Sequence, residues 1–139
     1  MWWPSPALGP AFWMEAHNSP GATATGTRWA FAEGQLGGGL SAETYVLIAN
    51  TSAFAGQARV TLYFEDGTSA KKVFALRAQS RTNVSVSVEF TQAAGRRFGA
   101  LIESLGAPPA QIVVERAMYT SPGGATWAAG TDALATRVP

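Results

Sequence analysis

Residues 58–76 read ARVTLYFEDGTSAKKVFAL, and their pattern decides the fold. Val60, Leu62 and Phe64 alternate with Arg59, Thr61, Tyr63 and Glu65, the period of two that puts apolar side chains on one face of a strand and polar ones on the other. Asp66 and Gly67 follow, a pair that tolerates the positive φ of a tight turn. The run from Ala70 to Leu76 then returns alongside. The stretch predicts a β-hairpin with one wet face, as found in antiparallel sheets packed on a second layer.

Working outward, similar short runs recur: RWAFAE from Arg28, ETYVLIAN from Glu43, RTNVSVSVEF from Arg81, GALIES from Gly99 and AQIVVERAMYT from Ala110. Their spacing suits a small antiparallel sandwich. In NVSVSVEF the alternation predicts Val84, Val86, Val88 and Phe90 on one face of a continuous strand. TYVLIA is apolar on both faces and is expected at the centre of a sheet. TQAAGRRF contains Gly95 and allows about one helical turn between strands. Gly37, Gly38 and Gly39 lie in a loop between two strands; without a following helix N-terminus they make a flexible or tightly turned loop and no phosphate cradle. The lack of long helical patterns excludes nucleotide-binding α/β designs.

The 139 residues suffice for one globular unit plus appendages. The chain is 47% hydrophobic and only 14% charged, against about 25% charged in an average soluble domain. Ten Lys and Arg against nine Asp and Glu leave a formal charge of +1, too little field to favour nucleic acid. Cysteine is absent, which removes disulfides, thiolate metal sites and cysteine nucleophiles. The opening residues lack a basic stretch and an unbroken apolar run, and Pro4, Pro6 and Pro10 interrupt them, so no secretory signal is expected there. No run approaches the roughly 18–20 apolar residues of a membrane helix, and membrane insertion is not expected.

The two ends resemble each other. Met1, Trp2, Trp13 and Asn18 answer Met118, Tyr119, Trp127 and Asp132, with Pro6 near Pro122, at offsets of 117 before the intervening loop and 114 after it. A repeat of about 115 residues would make residues 1–27 the closing hairpin of a preceding copy plus a linker, and residues 28–139 one whole β-sandwich domain. The motifs RWAFAEG, ETYVLIANTSAFAGQARVTLYFEDG, SRTNVSVSVEF and IVVERAMYTSPGGATWAAGTDA resemble the tandem immunoglobulin-like repeats of large bacterial secreted or surface proteins. That resemblance implies an immunoglobulin-like sandwich of seven to eight strands with an N-terminal strand-like extension. It also implies an extracellular or cell-surface setting and neighbouring repeats or domains as partners. It supplies no catalytic residues.

Chemical motifs are sparse. His17 is the chain's one histidine, flanked by Glu15 and Asn18, and no G-x-S-x-G elbow presents a serine, so neither a hydrolase triad nor a zinc site is expected. No cofactor is implied. Glu103 and Glu115 lie on strands expected to pair, where two carboxylates would suit a glycosidase. The structural alternative uses Arg116, Arg81 or Arg28 as partners. Glu115 and Arg116 are adjacent in one strand and must face opposite sides; the inward one needs a partner, and Glu33 or Glu103 is expected to supply it for Arg116. The aromatic residues offer a different chemistry, since exposed rings stack on sugars. Trp2, Trp3, Trp13, Tyr119 and Trp127 are the candidate contacts to a glycan, a surface or a neighbouring domain, with Trp29, Tyr45 and Tyr63 further members of the set.

Overall fold

The computed structural model describes residues 2–4 and 13–16 as backbone and residues 17–121 and 129–139 in full. Two short strands, β1 (Trp2–Pro4) and β2 (Trp13–Ala16), pair with each other. Nine strands then build two antiparallel sheets. In chain order they are β3 (Arg28–Gln35), β4 (Glu43–Asn50), β5 (Gly56–Phe64), β6 (Ser69–Leu76), β7 (Ser80–Ser85), β8 (Arg97–Leu105), β9 (Ile112–Thr120), β10 (Ala129–Leu134) and β11 (Thr136–Arg137). One sheet runs β10-β9-β4-β7 and the other β11-β3-β8-β5-β6. The protein is an all-β sandwich, and β10 and β11 are the strands beyond the seven runs visible in the sequence.

The hairpin of residues 58–76 is β5 and β6, paired from Gly56↔Leu76 to Tyr63↔Ser69. Gly67 takes a φ of 81°, and the Asp66 carboxylate accepts from the Thr68 amide and hydroxyl. Those two bonds, the hydroxyl's foremost, hold the Asp66 carboxyl below the usual carboxylate range, with Arg96 assisting. Val60 and Leu62 of β5 and Ile102 of β8 face Val46 and Ile48 of β4 and Val114 of β9 across the core, all fully buried. As TYVLIA implied, β4 lies inside its sheet, between β9 and β7. Asn50 ends it: its buried side-chain amide donates to Phe54 O and Arg77 O and accepts from the Ser52 amide.

Two sequence expectations change. The strand in NVSVSVEF stops at Ser85, and Val86–Glu89 forms a single helical turn, α1, followed by a 3₁₀ turn over Thr91–Ala93. Val86 and Phe90 still reach the core, but Val88 is 72% exposed, because the helical turn swings it outward while Phe90 packs beside Phe74. The second change concerns Glu103 and Glu115, which stand on β8 and β9 in opposite sheets. Their strands do not pair.

Numbering the strands from β3, the second pairs with the fifth and the third with the sixth, as in immunoglobulin domains. The first strand, however, joins the sheet of the third and sixth, and the seventh joins that of the second and fifth. Relative to the ABED/CFG order the first and seventh strands have exchanged sheets, and the fourth, β6, pairs with the third and not with the fifth.

Candidate functional site

A β-bulge shapes one end of the five-stranded sheet. Phe31 pairs with Ala100 and Gly34 with Phe98, so Ala32 and Glu33 together oppose Gly99 alone, two residues against one. Gly34 is required by proximity: a Cβ there would lie 2.3 Å from the Phe98 ring. The bulge directs Glu33 across to the other sheet, where Arg116 Nη1 donates to its carboxylate at 2.9 Å. The burial is one-sided, with the Arg116 side chain 6% exposed and that of Glu33 74%. Next to the bulge lies a cleft of about 360 Å³ lined by Glu33, Gln35, Tyr63, Glu65, Arg97 and Phe98 among others. Tyr63 is 51% exposed. The cleft combines an aromatic plane with charged hydrogen-bonding groups, which suits contact with a polar ligand. Among the described residues no group of three or more acidic, histidine or cysteine side chains could hold a metal.

On the outer face of the same sheet, Glu103 sits between two guanidinium groups from neighbouring strands. Arg59 donates at 2.6 and 3.1 Å, and Arg28 Nε lies 3.5 Å away. Glu115 faces outward from the other sheet, half-buried. The two carboxylates therefore cannot flank one bond. Arg81 is exposed on β7.

The outer face of the four-stranded sheet gathers Tyr45 and Tyr119 in an edge-to-face pair with centroids 5.9 Å apart. Tyr45 donates to Glu43 at 3.0 Å. Burial first, and then the Glu43 carboxylate, push the Tyr45 phenol above its ordinary pKa. Burial and the charge of Asp132 do the same to Tyr119. Beside them the segment after β2 touches β10: His17 Nε2–H donates to the Asp132 main-chain oxygen, and Ser19 Oγ donates to Asp132 Oδ2 at 3.1 Å. Residue types gave no hint of this contact, which joins positions 115 apart. Of the aromatic candidates, Trp29 is a core residue and Trp127 lies outside the described residues, as do the side chains of Trp2, Trp3 and Trp13.

The two hairpins share a register. β1 and β2 pair Trp2 with Ala16 and Trp3 with Glu15. Moved by the offsets of 117 and 114, these become Tyr119 with Gly130 and Thr120 with Ala129, which are pairs of β9 and β10.

Similar solved structures exist. A Thermotoga maritima protein, number 1070, superposes with a TM-score of 0.68 at 14% identity, over 81% of this chain and 94% of its own. The Anabaena sensory rhodopsin transducer gives 0.56 at 21% identity, over 69% of this chain and 99% of its own. At such identities the likeness is one of fold. No protein-family model and no curated protein sequence matches the chain.

Proposed function

We propose that this chain is a non-catalytic module of a tandem, immunoglobulin-like β-sandwich array in a larger secreted or surface-exposed bacterial protein, where it spaces, displays or tethers neighbouring domains. The shared register of the two hairpins carries this proposal: shifted by the offsets of 117 and 114, the pairs Trp2↔Ala16 and Trp3↔Glu15 of β1 and β2 fall on pairs of β9 and β10. The domain core supports it, since every strand from β3 to β11 lies in one of the two sheets and neither sheet includes the N-terminal hairpin. Deleting residues 1–21 tests the assignment. The remaining chain is expected to unfold in one cooperative transition with its β circular-dichroism spectrum intact. Loss of folding on truncation would overturn it, because the hairpin would then belong to this sandwich's own core.

A second proposal, attachment to a glycan, is favoured by the exposed ring of Tyr63 in the wall of the charged cleft. Binding to a glycan panel that disappears in Tyr63→Ala would support it, and absence of binding by the intact chain would dismiss it.

A further inference from the structure

The connector between the N-terminal hairpin and the sandwich is fastened at both ends. At its exit, Gly26 exchanges main-chain hydrogen bonds with Ile112 at 3.0 and 2.8 Å, and Thr27 O accepts from the Ser104 amide at 2.7 Å. At its entry, His17 and Ser19 hold Asp132 from two directions, one on the main chain and one on the carboxylate. Between these points residues 20–24 are exposed.

Asp132 is suited to this role. It lies on β10, an outer strand of the four-stranded sheet, opposite Ala117 of β9. An outer strand presents main-chain acceptors with no strand to receive them, and His17 occupies the one at Asp132. The second carboxylate oxygen, Oδ1, is buried without a hydrogen-bond partner, and His17 Nε2 stands 3.5 Å from it. Two donors spaced i and i+2 in the chain therefore meet a main-chain oxygen and a carboxylate of a single residue.

We infer that Asp132, with the edge of β10 around it, is a docking site for the His-x-Ser segment that trails the closing hairpin of the neighbouring unit, and that it fixes the angle between consecutive units. The inference rests on assigning β1 and β2 to a neighbour's hairpin. The partner is a peptide segment with two closely spaced donors, supplied by the chain itself. Fastened only at its exit, the nine-residue stretch 17–25 would behave as a flexible coil with an end-to-end distance of roughly 15–18 Å.

The absence of cysteine makes the test direct. Spin labels at Glu15→Cys on β2 and Asn83→Cys on β7 report the hairpin-to-sandwich distance by pulsed electron paramagnetic resonance in the full chain. A single narrow distribution is expected. Asp132→Ala, and separately His17→Ala with Ser19→Ala, should broaden it to about 10 Å or more while the melting transition of the sandwich stays cooperative. A broad distribution in the parent chain, or an unchanged one in both variants, overturns the inference. If the chain lacking residues 1–21 folds while the distances ignore Asp132, the array assignment stands and the docking site falls.

Discussion

Cutting the ion pair between Glu33 and Arg116 from its two sides should give unequal results. Glu33→Ala leaves a guanidinium, 6% exposed, without its carboxylate partner. Removing one partner of a buried pair costs about 3–5 kcal/mol. Here Arg116 Nη1 keeps the Glu33 main-chain oxygen at 3.5 Å, which lowers the expected loss to about 2–3 kcal/mol. In a domain of this size about 4 °C accompanies each kcal/mol, so the melting temperature should fall by about 8–12 °C. Arg116→Met is different: Glu33 is 74% exposed and regains water, while the thioether fills the inner position between the sheets. Exchange of a buried charge for an apolar side chain is often neutral, and a change within about 1 kcal/mol is expected. The double variant should recover most of the loss of Glu33→Ala. Thermal and urea unfolding of the three variants measure this. Equal losses in both single variants, or no loss in Glu33→Ala, would refute the one-sided burial on which the reasoning depends.

Two further outcomes follow from contacts on opposite sides of the molecule. The raised pKa values of Tyr45 and Tyr119 mean that the folded state holds phenolic protons which the unfolded chain releases near pH 10. Stability should be fully present below that pH and fall as the pH rises through the folded values. Urea unfolding between pH 8 and 11 should show this slope, and Tyr45→Phe should flatten it; an identical slope in that variant would exclude Tyr45 as a source. At the bulge, Gly34→Ala puts a methyl 2.3 Å from the Phe98 ring and should cost about 1–3 kcal/mol. Adding Phe98→Leu should restore part of this, and a thermally silent Gly34→Ala would show that the ring moves freely.

Strands β3 to β9 were legible because most of them bury one face, and burial on one face writes a period of two into the residues, whereas β10 and β11 show no such alternation. The same period misled at Val88. Val86 and Phe90 are both buried, so the alternation continued on paper past Ser85, although a helical turn supplies the second half of it. Glu103 and Glu115 were placed on paired strands because their runs are consecutive. Consecutive strands in a sandwich pair or change sheets according to the connection, and the Gly106–Gln111 connection leads to the opposite sheet. The Glu33 contact had one local signal: Gly34 interrupts the strand pattern RWAFAEGQ, and an isolated glycine in a strand marks a bulge or a close approach. Which arginine the bulge would address, and that His17 would find Asp132, depend on how distant strands are stacked, and no local pattern encodes that.

The exchange of strands between sheets has a mechanical consequence. Because β3 lies in the five-stranded sheet, it is the neighbour of β11, with Trp29 opposite Arg137 and Ala30 opposite Thr136. The Val138 amide donates to Arg28 O at 3.0 Å. The main chain thus enters and leaves the sandwich at adjacent points of one sheet. Tension along the chain would load these few hydrogen bonds, together with those that Gly26 and Thr27 make just before them, one after another, as in opening a zipper, and would not shear the long β5 and β8 ladder at the centre. An array of such units would hang from its connectors like pendants on a cord, yielding length early at each clasp while the sandwiches stayed whole.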